Sequence, residues 1–413
     1  MDSSFSSRVL VRSLLAGALL GGAFVCWYWS GRDGETSTAA GPSPKSTPAG
    51  TVSPPAPHSL PAQRPEASAS AILPVNVDSA IGRCCDLLRG SASPEQNLVA
   101  LQALAAELRK MDRATVVASL MRFLDGGRDA PTGLGFSVLS GGALGASPSL
   151  RVALLDLLGE LDRAAAAAYA DVIFQRSQVP DEWAVALRDK GRHLGPAAAK
   201  TSPSYENRIL QLLTRQEWLQ APTAGFLHAF DAAVYVGGDR PTSNLMHLMN
   251  AVSHPAVRHA ARLALDRLTV EHYTPVATKL AAATALQTMP AARAQLMSRA
   301  SLFDAEQVRL VEQYLRNDKV TDAEAAEFFS VFPNANLELT NSLLTKNPFL
   351  RMDVMAEQDK AALALARAWK VAGSVGHAAL LDQAILRLED YVASAERGRV
   401  DSANATPAQG GAR

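Results

Sequence analysis

Five of the eight histidines crowd into one stretch, at His228, His247, His254, His259 and His272. A zinc-type centre needs nitrogen donors that share one face, with a carboxylate or thiolate in reach. His254 and His259 are five residues apart and point to different sides of a helix, His247 and His254 flank a turn, and H-E-x-x-H is absent. The expectation is therefore no metal and no cofactor. G-x-S-x-G is absent too, and no cysteine is set up to pair with a histidine as a nucleophile. The paired carboxylates Asp181-Glu182, Asp322/Glu324 and Glu389-Asp390 read as helix starts or solvated faces. Arg258, Arg262 and Arg267 alternate with Asp266 and Glu271, which cancels any phosphate-binding stripe. Seven glycines in GGRDAPTGLGFSVLSGGALG, residues 126–145, could present backbone N–H groups to an anion. Neither phosphate-loop nor dinucleotide spacing is present there, and no strand precedes it. It reads as a long loop between helical units, and as the best place to look for a ligand contact. No catalytic residue emerges.

The elements that would position such groups are helices. Alternating apolar and polar runs suited to strands are almost absent, whereas helical spacing recurs throughout. Leu98, Leu101, Leu104, Leu108 and Met111 make one apolar stripe, entered through Ser93-Pro94. A serine cap followed by a first-turn proline is a favoured start, because the missing N–H has no partner there anyway. The same start recurs at Ser147-Pro148, Ser202-Pro203 and His254-Pro255, so the four prolines are 54, 55 and 52 residues apart. Asp112-Arg113-Ala114 and Asp162-Arg163-Ala164 mark a second helix in the first two units. A fixed period of helical pairs, each unable to bury its own stripe, predicts a stacked array. Further helices are expected at 275–288, 291–300, 304–317, 321–331, 335–346, 351–372 and 375–395. Trp183, Trp218 and Trp369 are expected as core anchors, and Cys84-Cys85 as small apolar packing residues.

Two of the units are similar to the HEAT-repeat family. Ser253-His254-Pro255-Ala256-Val257-Arg258, continuing through Ala260, Ala261, Ala264, Leu265 and Leu268, resembles the P-x-V-R-x-x-A-x-x-A-L stretch that opens the second helix of that repeat. Ser147-Pro148-Ser149-Leu150-Arg151, with Ala153, Leu154, Leu157 and Leu158, is similar. The resemblance implies a right-handed stack of helix pairs in which the arginine stitches neighbouring repeats together. The acidic residue common before the proline is absent at Ser253-His254, and the other two units lack the arginine.

Ahead of the helical region, SLLAGALLGGAFVCWYWS from Ser13 to Ser30 contains no charge. Eighteen residues at about 1.5 Å rise give roughly 27 Å of helix, close to a bilayer's hydrocarbon thickness. Arg8 and Arg12 precede the run, whereas Arg32, Asp33 and Glu35 follow it, so the tail faces the cytoplasm and the bulk faces out. Bulky Trp27, Tyr28 and Trp29 at its far end favour a retained anchor over a cleaved signal peptide. Gly17 and Gly21 lie one turn apart on one face, a spacing that lets two membrane helices pack closely as a homodimer. Nine prolines between Gly31 and Val75, among Ser, Thr, Ala and Gly, predict a disordered spacer.

The resulting expectation is an all-α chain: a HEAT-like α-solenoid behind an N-terminal transmembrane helix and a disordered linker. Its divisions are a cytoplasmic stub at 1–12, an anchor at 13–30, a linker at 31–75, the helical repeat domain at 76–396 and a disordered tail at 397–413. Forty basic residues balance forty acidic ones, so no overall field favours nucleic acid. Anchor, tether and stack together imply a non-catalytic scaffold for a protein partner on the extracytoplasmic side, periplasmic in a Gram-negative cell. A helical envelope enzyme and a structural assembly factor are the alternatives.

Overall fold

The computed structural model describes residues 76–90, 93–251, 254–282, 285–335, 341–346 and 352–405. The anchor at 13–30, with Gly17 and Gly21, and the linker at 31–75 lie outside them. Among the described residues, no helix is long and apolar enough to cross a membrane. The chain is predominantly helical, and the only strands among the described residues form one short antiparallel hairpin.

Local capping chemistry sets most helix starts. Helix α1 (Val77–Arg89) begins where the Asn76 side chain accepts the Asp78 N–H. Helix α2 (Pro94–Leu108) carries a full capping box between Ser93 and Gln96. Asp112 caps α3 (Arg113–Asp125), and Asp162 takes two N–H groups at the start of α5 (Arg163–Arg176). Between them lie strands β1 (Ser137–Val138) and β2 (Leu144–Ala146) and helix α4 (Leu150–Leu161). Here the start moves by two residues from the expected Ser147-Pro148: Ser149 is the cap. Thr132 explains the shift, since its hydroxyl bonds the Ser147 carbonyl and its N–H bonds the Pro148 carbonyl, drawing both into the glycine-rich loop.

Helix α6 (Pro180–Lys200) follows, bent at Gly195 where φ is 73°. Then come α7 (Pro203–Thr214, capped by Ser202) and three short helices, α8 (Gln216–Gln220), α9 (Ala224–His228) and α10 (Asp231–Val236). The pair α11 (Asp239–Ala251) and α12 (Pro255–Glu271) pack against each other. The helix expected at 275–288 divides into α13 (Tyr273–Ala282) and a 3-10 turn, Ala285–Thr288. Helices α14 (Pro290–Met297), α15 (Ala305–Leu315) and α16 (Asp322–Val331) are short, and α17 (Met352–Ala372) packs on α18 (Ala378–Ala405). Two expectations fail. Residues 341–346, expected within a helix, are irregular. The tail expected from Arg397 continues instead as helix to Ala405, two residues before Pro407.

Helix α6 is the hub: α4, α5, α7, α9 and α10 all pack on it. The buried apolar side chains form one continuous cluster. Aromatic rings run through it as two chains. Phe174, Trp183, Trp218, Phe226 and Phe230 stand 5.0, 5.4, 6.1 and 5.2 Å apart by centroid, linking α5 to the start of α10. Tyr314, Phe328, Phe332 and Trp369 link α15, α16 and α17. All three tryptophans named from the sequence are therefore core anchors, at 1–6% exposure. Cys84 and Cys85 are buried thiols, and burial, with Cys85 beside it, pushes Cys84 up to about 11.

Phe226 is fully buried between two rings. Replacing it with Ala should cost about 3–5 kcal/mol, read as a lower urea midpoint with unchanged slope.

Candidate functional site

The charged groups of the hub helix face inward. Asp181 and Glu182, expected at a helix start or on a solvated face, lie in the first turn of α6 and are 7% and 2% exposed. The reason is that α9 and α4 cover the first turn of α6. Asp181 Oδ1 accepts from Thr223 Oγ1 at 2.6 Å and from the Gly225 N–H at 2.9 Å, so it caps α9 from outside. A Cβ at Gly225 would collide with that oxygen. Burial raises Asp181 above the usual carboxylate range, against the pull of those two donors. Glu182 accepts from Arg151 Nε at 2.6 Å and Nη2 at 3.4 Å, and Arg151 Nη1 reaches the last turn of α3 at the Leu124 carbonyl, 2.6 Å away. Arg151 thus joins three helices. Arg258, at the corresponding place in the other similar stretch, is exposed.

Two turns along α6, Arg188 is 1% exposed and bonds Asp189 at 2.8 Å, the Gly142 carbonyl at 3.1 Å and Asp156 of α4. Burial opposes its charge, but Asp189 and Asp156 outweigh that and raise its pKa further. Gly159 makes the room: a Cβ there would stand 2.6 Å from both Asp189 carboxylate oxygens.

The same device recurs down the chain. Asp231 bonds Arg267 at 3.0 Å, Asp266 receives a fork from Arg299 at 2.8 Å, and Glu324 receives one from Arg293 at 2.6 Å plus the Tyr314 hydroxyl at 2.6 Å. Asp266 and Arg267, expected as alternating charges, and Glu324, expected at a helix start or on a solvated face and found in the first turn of α16, are all buried partners in these pairs. In all five pairs, each side chain is at most 20% exposed, and partners lie 31, 32, 36, 33 and 31 residues apart. Glu389, by contrast, meets Arg367 on the surface.

The histidines do not converge. His228 packs its ring on Phe136 at 5.9 Å, His247 and His259 are on the surface, and His272 lies against Gly237. Among the described residues, no three His, Cys, Asp or Glu side chains are grouped to hold a metal ion. Burial lowers His228 below the usual imidazole range, with Asp231 pulling the other way. Burial, and then Lys200, lowers His272 likewise.

The glycine-rich loop meets its contact inside the protein. Its hairpin turns at Gly141-Gly142, where the Gly141 carbonyl accepts from Arg192 at 2.6 Å and the Gly142 carbonyl from Arg188. Against that tip lies the irregular segment 341–346. Leu343 is 2% exposed and its carbonyl accepts from Arg192 at 3.2 Å. The N–H groups of Leu344 and Thr345 both donate to Asp231 Oδ2, at 2.6 and 3.0 Å, and Arg267 donates to the hydroxyls of Ser342 and Thr345. Chemically the arrangement caps an irregular stretch of main chain: an acid and two arginines hold N–H, C=O and hydroxyl groups of a bent segment. Sequence reasoning named the loop but missed Asp231, Arg192 and Arg267 in this role. The available signal was charge set among large apolar residues, as in Ala186-Leu187-Arg188-Asp189 and Leu265-Asp266-Arg267-Leu268.

Comparison with known proteins finds no family model, no curated protein and no solved structure that matches the chain.

Two outcomes follow from the electrostatics. Arg151→Met leaves the Glu182 carboxylate buried without its partner and should cost about 3–5 kcal/mol in urea unfolding. Adding Glu182→Leu should recover part of the loss, giving a favourable coupling in the double-mutant cycle. For His228 and His272 the folded pKa lies below the unfolded one, so the unfolded chain binds more protons. Their stabilisation is present above the unfolded value and disappears as pH falls through the folded one. Melting temperature should therefore drop between about pH 7.5 and about pH 5.5, and drop less in His228→Gln.

Proposed function

We propose that this chain is a membrane-anchored, non-catalytic α-helical repeat protein of the HEAT-like kind, a scaffold that holds a partner protein outside the cytoplasmic membrane. The observation that carries this reading is the recurrence of buried acid–arginine pairs at separations of 31–36 residues. Each pair ties a helix to the second one along the chain or its flank: α4 to α6 twice, α10 to α12, α12 to the turn after α14, and α14 to α16. The pattern supports a stack of neighbouring helices, although it is shorter than the 52–55-residue proline spacing. The packed pair α11 and α12, with Val257, Ala261, Ala264, Leu265 and Leu268 buried, supports it on the stretch that resembles the family. The uncharged run 13–30 supplies the anchor and the proline-rich 31–75 sets its reach. Gly17 and Gly21 give that anchor a face for self-association.

The test uses the full chain in its native membrane. Alkaline carbonate should leave it in the pellet. Crosslinking should then join residues within 76–396 to one protein recovered in fixed stoichiometry. Release into the supernatant sinks the anchor, and crosslinks that scatter over many proteins sink the scaffold.

A further inference from the structure

Helices α13, α14 and α15 do not close on one another completely. Ala277 and Ala281 stand one turn apart on α13, and with Met297, Leu310, Val320, Arg293 and Tyr314 they wall a cavity of about 160 Å³. Protein interiors leave few voids larger than a water molecule, and this one is several times that size. Ala277, Met297, Val320, Arg293 and Tyr314 are at most 5% exposed, which sets its floor inside the core. Ala281, Gln313 and Asn317 are exposed and mark its mouth. One donor on the wall has no acceptor. Arg293 directs Nε and Nη2 at the Glu324 carboxylate, both at 2.6 Å, and the Tyr314 hydroxyl donates to the same carboxylate at 2.6 Å. Among the described residues nothing accepts from Arg293 Nη1, so a buried guanidinium lining the cavity keeps two N–H groups to offer. Unlike Arg188 Nη2, this nitrogen is not walled off by protein.

Charge decides what that donor can receive. Among the described residues Arg293 is the only charged side chain lining the cavity, and Glu324 already matches it. Burial, and then its bond to Glu324, keep Tyr314 protonated. A carboxylate ligand would lie close to Glu324 with no second cation to balance it, and an ammonium ion would meet the guanidinium. An uncharged molecule with a carbonyl oxygen meets neither penalty.

We propose that this cavity is a binding site for a small uncharged carbonyl compound: a lactam, a cyclic ketone or a short amide. Its oxygen accepts from Arg293 Nη1, and its apolar body rests on Ala277, Met297, Leu310 and Val320. A cavity of about 150 Å³ takes a benzene-sized guest, which sets the ligand at about six to eight non-hydrogen atoms. Arg293 joins α14 to α16, and Tyr314 brings α15 to the same carboxylate, so the ligand completes a contact among three helices. The site is separate from any scaffold surface and needs neither anchor nor partner.

The probe is δ-valerolactam, an uncharged ring of this size with one carbonyl, added to the full chain in detergent micelles. Saturation-transfer NMR should show it bound, with a Kd of about 1–10 mM. Saturating lactam should also raise the melting temperature. Pentanoate and piperidinium, close to the lactam in size but carrying a negative and a positive charge, should bind at least about tenfold more weakly. Ala277→Leu places a larger side chain in the cavity and should abolish lactam binding while the helical circular dichroism stays intact. No saturation transfer to the lactam at about 50 mM overturns the proposal and leaves the cavity to water alone. Undiminished binding to Ala277→Leu overturns it too, because the lactam is then elsewhere, and pentanoate binding as tightly as the lactam overturns the choice of an uncharged ligand. Should Ala277→Leu fail to fold, Ala281→Leu at the exposed mouth is read by the same criterion.

Discussion

The buried guanidinium–carboxylate pair is the interaction on which the architecture depends. Moving either ion alone out of water costs several kcal/mol, so each partner tolerates burial only while the other is present and its remaining donors or acceptors are met. Arg151, Arg188, Arg267, Arg293 and Arg299 each face an acid supplied by another helix, and several add a carbonyl from a third element, although Arg188 Nη2 and Arg267 Nε stay buried without a partner. Such a pair is direction-specific where apolar contact is not. Leucine against leucine allows helices to slide by a turn, whereas a two-pronged arginine accepts one register. Where helices pack on one another the main hazard is slippage, and these pairs act against it.

Close backbone approach is the second requirement. Gly159 beside Asp189, Gly225 beside Asp181 and Gly142 beside Leu343 are glycines because the volume a side chain would need is already filled by a polar atom. The glycine-rich loop therefore serves packing as much as turning: its tip is pressed onto α6, where Arg188 and Arg192 hold its carbonyls. Acid, arginine and glycine act as a unit around α6.

How much of this was legible in the sequence follows from the range of the interactions. Ser93, Asp112, Asp162, Ser202 and Thr321 could be read as caps because a cap and its N–H partners lie within three residues. The apolar stripes and the tryptophan anchors were legible for the same local reason. The choice of charge partner was not, since Arg151 and Glu182 are separated by 31 residues and periodicity carries no information about which helix faces which. Residues 341–346 show the opposite failure. Their leucines suit a helix, but Asp231 takes two of the peptide N–H groups and Arg192 one carbonyl, and tertiary context overrides propensity.

Two neighbouring thiols deep in α1 have a chemical consequence of their own. A sulfur that stays protonated until far above neutrality offers almost no nucleophile, and the surrounding side chains shut out any reagent that could use it. Cys84 would thus resist glutathione, alkylators and stray disulfide partners alike, and Cys85 is shielded by its burial alone. Labelling at these two sulfurs would report on unfolding of the first helix.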